Sequence, residues 1–371
     1  MDSSNDIGAR LQKLVAAAAS GARNEGSFQI LGGETKHFLG REPTGASLSV
    51  VDHRGIVNYQ PKELVITARC GSRLAEIEST LAERDQMLSF EPPHFGPGAT
   101  LGGAVATGLS GPRRPYAGST RDFVMGVRIL NGRGEMLRFG GEVMKNVAGY
   151  DVSRLMVGAM GTLGIILEAS LKVMPAPAEE ITLIREHTMA EAITLMNDWG
   201  GRPLPLSGAC FHDGRLYARL SGAPGATRPA RERLGGELLE TTGGDHKGHA
   251  GDRGFWRDVR EQRHDFFTGM TASEPLWRIS VPPACPPLGL SGTWFIEWGG
   301  AQRWLRTGPP AREIRKAVSA MGGHVTLFRG GDRGSDVFHP LAPGIAELHG
   351  RIKRAFDPHG LFNPGRLYPN L

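Results

Sequence analysis

The sequence predicts an α+β protein with a larger first domain and a smaller second one. Three observations carry that expectation. The chain has 371 residues, more than one hydrophobic core usually serves, since a domain averages about 150 residues. Strand-like runs alternate with helix-periodic runs through the first half. At Pro175-Ala176-Pro177 this gives way to a strand, helix, strand, strand order, as in an antiparallel sheet with helices on one face.

Taken in order, Ile7, Leu11, Leu14 and Ala18 recur with helical spacing after Asp2 and Asp6, which is not the basic-then-apolar order of a signal peptide. Residues 28–31 read as a strand running into Gly32 and Gly33, then Glu34, Thr35 and Lys36, the order of a strand-to-loop phosphate site. Residues 47–52 and 64–68 are further strands. Ser72 is the expected N-cap of a helix with Leu74, Ile77 and Leu81 on one face. Between Gly96 and Gly164 stand 16 glycines, a density that predicts extended loops. Within it, residues 127–130 and 135–139 flank Asn131-Gly132-Arg133-Gly134 as a β-hairpin. Asp151 caps a short helix through Val157, and residues 165–173 form a buried strand.

The second domain reads as a strand (181–185), a helix (189–199), two strands (207–211 and 215–218) and a helix containing Ala230 and Leu234. Residues 222–251 are Gly-rich and polar and read as a surface excursion. One amphipathic, charged helix spans 255–267. Two more cover 310–321 and 344–356, with Gly322-Gly323 stopping the first.

Composition excludes several classes. With 43 basic and 38 acidic residues interspersed, the formal charge of +5 is not a nucleic-acid footprint, and mild positive charge suits anionic cofactors and small acids. Cys70, Cys210 and Cys285 lack any C-x-x-C spacing, so neither a disulfide framework nor an iron–sulfur site is expected, and a reducing cytosol is the natural compartment. The longest apolar stretch, 155–167, is too short to span a bilayer, so any membrane attachment is expected through a partner. No metal site is predicted. The G-x-G pairs Gly96/Gly98 and Gly132/Gly134 each lead to leucine three residues on, so the Rossmann fingerprint fails. There is no Walker sequence, H-E-x-x-H or G-x-S-x-G.

What remains is a set of separated glycine-rich loops. A diphosphate carries two negative charges, and its lost water must be replaced by several hydrogen bonds. Backbone N–H groups supply them where no β-carbon obstructs the approach. Gly32-Gly33 and Ala99-Thr100-Leu101-Gly102-Gly103-Ala104 are two such loops, although either alone is equally an ordinary tight turn.

Their order is more specific. Ala99-Thr100-Leu101-Gly102-Gly103, Tyr116-Ala117-Gly118-Ser119-Thr120-Arg121-Asp122, Gly149-Tyr150-Asp151 and Gly161-Thr162-Leu163-Gly164-Ile165 together resemble the FAD domain of the vanillyl-alcohol-oxidase (PCMH-type) flavoproteins. The run from Asp357 to Arg366 resembles the segment with which that family closes its fold. The resemblance implies a PCMH-type FAD-binding domain of two α/β subdomains (1–177), a smaller ferredoxin-like cap (178–340) and a returning C-terminal segment (341–371). It also implies roles. Gly32, Gly33, Thr35 and Lys36 cradle the FAD pyrophosphate from one side, and Thr100, Gly102, Gly103 and Thr107 face it from the other. Gly118, Ser119, Thr120 and Asp122 line the adenosine and phosphate region. Ile165 meets adenine through its backbone, and Asn363 and Arg366 lie near the flavin. Turn and cap roles remain the plainer alternative for Thr120, Asp122 and Asn363.

A narrower likeness rests on Glu91-Pro92-Pro93-His94-Phe95, Gly111-Pro112-Arg113-Arg114-Pro115, the run from Phe139 to Asp151, and the run from Glu297 to Trp304. These are similar to the FAD-binding subunits of bacterial glycolate oxidases. That implies oxidation of a small 2-hydroxy acid, glycolate, to glyoxylate, within a complex containing a larger sister FAD subunit and an iron–sulfur subunit that takes electrons from the flavin. It implies a cytoplasmic protein, on the membrane only through its partners. Glu34 stands where many members have a third glycine, Leu31 where they have a basic residue, and Met160 where they have a glutamate. Lys36 stands where covalently flavinylated members have histidine, so FAD is expected to be non-covalent.

No catalytic residue is assigned. Oxidising a 2-hydroxy acid needs a base, a cation for the carboxylate and hydride transfer to flavin. No H-x-x-x-x-x-x-H motif accompanies Gly330-Gly331-Asp332, which implies that the sister subunit oxidises the substrate. His324, Arg329 and His339 are a candidate substrate cluster, with a solvent-facing loop as the plainer reading. Arg113 and Arg114 are candidates for phosphate or partner contact. Two alternatives stay open: a stand-alone oxidoreductase acting on another hydroxy acid or a sugar, and a non-catalytic structural subunit.

Overall fold

The structure, a computed structural model, describes residues 3–21, 26–141, 151–239, 253–271, 273–306, 309–334 and 336–371. In chain order the elements are α1 (Ser3–Ala19), β1 (Phe28–Leu31), β2 (Ala46–Ser49), β3 (Ile56–Gln60), β4 (Val65–Arg69), α2 (Leu74–Ala82), β5 (Gln86–Met87), α3 (Leu101–Thr107), α4 (Arg114–Ala117), α5 (Thr120–Phe123), β6 (Val124–Leu130), β7 (Met136–Gly140), α6 (Val152–Leu155), β8 (Ile165–Lys172) and β9 (Met174–Pro175). They continue with β10 (Glu179–Glu186), α7 (Met189–Gly200), β11 (Leu206–His212), β12 (Arg215–Gly222), α8 (Pro224–Leu234), β13 (Glu237–Leu238), α9 (Arg253–Arg260), α10 (Asp265–Thr268), β14 (Leu276–Ser280), β15 (Thr293–Glu297), β16 (Gln302–Arg306), α11 (Ala311–Ala320), β17 (His324–Arg329) and α12 (Pro343–Phe356).

The chain divides into two compact units. One comprises 1–109, 119–175 and 333–371, and the other 110–118 and 176–332. The first is built on an antiparallel sheet in the order β3-β4-β8-β6-β7. Strand β8 is central and almost wholly buried, which explains its apolar run IIL and its small residues. The β6–β7 hairpin forms because Asn131 Oδ1 accepts from the backbone N–H of both Arg133 and Glu135, at 3.0 Å each.

A separate parallel pair, β1 with β2, supports the site. Leu11 and Val15 of α1, Phe28 of β1, Leu48 of β2, Leu130, Ile165 and Leu167 of the sheet, and Leu361 and Phe362 of the C-terminal segment share one core. Each such side chain, fully buried, stabilises by about 1.5–3 kcal/mol. The returning segment lies along β1: Phe28 N donates to Leu361 O at 2.6 Å and Asn363 N to Phe28 O at 2.9 Å.

The second unit is an eight-stranded antiparallel sheet in the order β13-β10-β12-β11-β15-β16-β14-β17. Helix α7 starts with a capping box, Thr188 N donating to Glu191 Oε2 at 2.8 Å, and buries Ala192, Ile193, Met196 and Trp199 against β10–β12.

Several expectations are corrected. Ser72 is not an N-cap; its Oγ accepts from Gly55 N at 2.8 Å, and α2 starts one residue after Arg73. Within the glycine-dense stretch, whose residues 142–150 lie outside the described residues, α3, α4 and α5 stand beside the expected β6–β7 hairpin and α6, and Gly102 and Gly103 lie in the first turn of α3. A β-carbon on Gly102 would come within 2.9 Å of Cys70 Cβ, so here glycine permits close packing of helix on strand. The single helix expected over 255–267 is two, α9 and α10. Gln262 takes φ 54°, and extended His264 caps α10 by accepting from Phe266 N at 3.2 Å. Helix α8 stands where a helix containing Ala230 and Leu234 was expected, strand β13 adds to the excursion expected at 222–251, and residues 240–251 of that excursion lie outside the described residues. Strands β14–β17 were not anticipated.

Candidate functional site

A cavity open to solvent lies in the first unit. One wall is the end of β1 and the loop that follows, including Gly32, Gly33, Thr35, Lys36 and His37. The facing wall is Thr100, Gly103, Ala106 and Thr107 of α3 and its cap, and the floor is Met160, Asn363 and Arg366.

Glycine is required where these walls meet. A β-carbon on Gly32 would come within 3.0 Å of Thr100 Oγ1, and one on Gly33 would overlap the Gly98 carbonyl, which Arg73 also holds by a hydrogen bond. Thr100 caps α3, its Oγ1 accepting from Gly103 N at 3.2 Å, and Thr107 turns its hydroxyl onto Gly103 O at 2.8 Å. Two distant loops therefore approach each other closely where side chains are absent, and both border one space. Such a cradle fits the diphosphate of a dinucleotide.

Asn363 organises the floor from a left-handed backbone (φ 42°). Its Oδ1 accepts from Ile30 N at 2.8 Å and its Nδ2 donates to Met160 O at 2.7 Å. Arg366 is buried and donates to Arg41 O at 3.0 Å and His37 O at 2.9 Å. Burial, with Arg333 nearby, pushes its pKa down to about 10, against the pull of Glu42. Lys36 is buried beside Phe95 and donates to His94 O at 3.2 Å.

Of the residues singled out from sequence, Gly32, Gly33, Thr35, Lys36, Thr100, Gly103, Thr107, Asn363 and Arg366 come together here. The others do not line the cavity. Gly102 packs on Cys70, and Ile165 is a core residue paired with Leu130. Thr120 is buried, its hydroxyl donating to Leu109 O at 2.9 Å. Ser119 and Asp122 form the capping box of α5, while Gly118 ends α4 in the second unit. Gly149 and Tyr150 lie outside the described residues. His37, Ala106 and Arg73 were not singled out; adjacency to Lys36 and the helical spacing after Thr100 were the available signals for the first two.

In the second unit, His324 and Arg329 occupy opposite ends of β17, so they do not form one cluster, five residues of strand being about 16 Å. Arg113 is an ion-pair partner of Glu180 and also reaches Ser221 Oγ at 3.4 Å. Among the described residues no group of three or more His, Cys, Asp or Glu side chains is placed to hold a metal ion.

Residues 9–140 match the FAD binding domain family. The chain aligns with a solved structure of alkyldihydroxyacetonephosphate synthase at TM-score 0.64 and 15% identity, over 95% of this chain and 73% of that one, a likeness of fold alone. Family match and fold thus define an α+β chain with a PCMH-type FAD-binding domain. Over 342 residues it is 49% identical to the glycolate oxidase subunit GlcE of Escherichia coli (strain K12), covering 92% of this chain and 93% of that protein. It is also 43% identical over 86 residues to the glycolate oxidase subunit GlcD of Bacillus subtilis (strain 168), 23% of this chain and 18% of that protein. The chain belongs to the family of the glycolate oxidase subunit GlcE.

Proposed function

We propose that this chain is the FAD-binding subunit of a multisubunit glycolate oxidase and takes part in oxidising glycolate to glyoxylate. The observation that carries this reading is the 49% identity with the Escherichia coli subunit, extending over 92% of the chain. Bound FAD supplies a two-electron acceptor, the chemistry that oxidation of a 2-hydroxy acid requires.

The chain's own contribution is to hold that group. Amides of Gly32 and Gly33, with Thr35 and Lys36, face the diphosphate from one wall, and Thr100, Gly103 and Thr107 from the other, with Gly102 behind them. Gly118, Ser119, Thr120, Asp122 and Ile165 are assigned to the adenosine side. Asn363 and Arg366 fix the floor toward the flavin. With lysine at position 36, FAD is held without a covalent bond. The FAD-binding domain is 1–177 with 341–371, and 178–340 is the cap. Electrons pass to an iron–sulfur subunit beside a larger sister flavoprotein. Among the described residues no helix is long and apolar enough to cross a membrane, and attachment to one runs through those partners.

An absorbance spectrum of the purified chain, then anaerobic glycolate with and without the partner subunits, tests this. The expected result is a yellow chain whose flavin is bleached by glycolate in the assembled complex. Correctly folded chain that stays colourless with added FAD overturns the reading, and bleaching of the isolated chain would make it a self-sufficient enzyme.

A further inference from the structure

Helix α12 presents an apolar stripe to solvent. Of its 14 residues only Lys353 is buried. Ile345 and Leu348, at 48% each, are the most exposed large apolar side chains among the described residues. Leu348 and Ile352 follow Ile345 by three and seven positions, so the three share one face of the helix. Ile352 also lines an apolar recess of the first unit, together with Leu155, Val157, Leu163 and Leu367. Stripe and recess are joined through it. Contiguous exposed apolar surface of this kind marks a place where something binds.

A small molecule would find little there to orient it. Ligand sites set a few convergent polar groups among apolar walls, and here those groups are committed. Lys353 gives its three N–H donors to Thr162 O at 2.7 Å, Phe362 O at 2.9 Å and Asp357 Oδ2 at 2.7 Å. The Thr162 hydroxyl donates to Ala159 O at 2.7 Å, and the His349 ring meets Tyr368 edge-on. Charge narrows the choice of a larger occupant. Arg351 stands one turn after Leu348 and borders the stripe, and Arg354 lies a turn further on. Both are exposed, and neither has a hydrogen bond or ion pair among the described residues. Glu347 is the one carboxylate of the helix. A second copy laid on the same face would oppose two surfaces of like sign, which disfavours a two-fold pairing. A bilayer accepts a protruding apolar ridge, whereas this surface is hollowed beside Ile352, a shape that protein side chains fill.

We infer that the α12 stripe and its recess are the docking surface for an amphipathic helix of a partner subunit, whose apolar side chains enter the recess and whose carboxylate meets Arg351. Helix against helix is the fitting mode, because α12 offers ridges of side chains and its backbone groups are spent within the helix. That a partner polypeptide exists rests on the multisubunit reading above; where it sits rests on α12.

The test is association of the FAD-loaded full chain with the purified larger flavoprotein and iron–sulfur subunits, read by biolayer interferometry and gel filtration. Leu348→Glu and Ile345→Glu, at exposed positions that should leave flavin content and melting temperature unchanged, should each weaken association roughly 10- to 100-fold. Arg351→Glu should weaken it about tenfold and flatten its decline with added salt. Wild-type association that all three variants reproduce overturns the docking surface alone. The same holds if the glutamate variants dissolve a dimer of the isolated chain, or release it from phosphatidylglycerol vesicles, while association with the subunits is untouched. Wild-type chain that ignores both subunits overturns the multisubunit reading, and this surface with it.

Discussion

Gly33 and Gly98 meet backbone to backbone: a β-carbon on Gly98 would lie 2.7 Å from Gly33 O, and one on Gly33 would overlap the Gly98 carbonyl. The two walls of the cavity are thus in register only while both residues lack side chains. Gly33→Ala should push the walls apart, destabilising the fold by about 1–3 kcal/mol as overpacking does, and weakening FAD binding at least about tenfold. Flavin content after gel filtration and a thermal melt check both effects. Wild-type flavin content in the variant is the outcome against it.

Glu34 sits next to that contact at φ 55°, a backbone conformation that costs a non-glycine residue about 1–2 kcal/mol. Glycine relieves this strain but is freer in the unfolded chain by about 0.5–1 kcal/mol. Glu34→Gly should therefore leave stability unchanged or raise it by up to about 1 kcal/mol. By removing a carboxylate from the cavity wall it should also tighten FAD binding. Urea unfolding and flavin titration read the two effects, and a loss of both stability and affinity contradicts them.

Asn363→Ala removes the acceptor of Ile30 N and the donor to Met160 O in one step. Each buried partner left unsatisfied costs about 1–3 kcal/mol. A denaturation midpoint shifted by less than the equivalent of 1 kcal/mol would show that water replaces the amide there.

Lys353 has a larger effect. Its buried ammonium donates to Thr162 O at 2.7 Å, Phe362 O at 2.9 Å and Asp357 Oδ2 at 2.7 Å, tying the 160–163 loop to the returning segment. Lys353→Met leaves Asp357 buried without its cation, at a cost of about 3–5 kcal/mol. Chemical denaturation measures it, and Lys353→Arg should recover only part because the pocket is shaped for three donors on one nitrogen.

His264 makes the second unit sensitive to acid. Burial, and then His212, hold its pKa below the ordinary value, and its Nδ1 must be unprotonated to accept from Phe266 N. Since the folded pKa lies below the unfolded one of about 6.5, the unfolded chain binds more protons in that window and stability falls as pH falls through it. His264→Asn, which keeps an acceptor and does not titrate, should flatten the fall in melting temperature between about pH 7.5 and about pH 5.5. An equal fall in both proteins removes His264 as the cause.

The grouping of the glycine-loop residues around one cavity was legible because its signal is local. Gly32-Gly33 after an apolar run and Thr100 before Gly102-Gly103 state their own geometry, and Asn363 stood out within an ordered C-terminal motif. The pin from Asn363 to Met160 was not legible, since no periodicity links residues that far apart. Strands β14–β17 were hidden for another reason. Arg278, Arg303 and Arg306 interrupt their apolar alternation, and these side chains are held by hydrogen-bond partners on neighbouring strands or loops, such as Gln302 for Arg278 and Glu274 for Arg306. Arg303, fully buried, donates instead to the Gly300, Cys285 and Pro286 carbonyls. A pattern rule that treats arginine as solvent-facing misreads such a sheet.

Because the floor of the cavity is closed by Asn363 and Arg366, a nascent chain has made both walls long before it can finish the third side. The two glycine loops are thereby complete in the growing chain more than 200 residues before Asn363 and Arg366, which floor the space between them, and a fragment ending ahead of residue 363 would carry both loops with that side open.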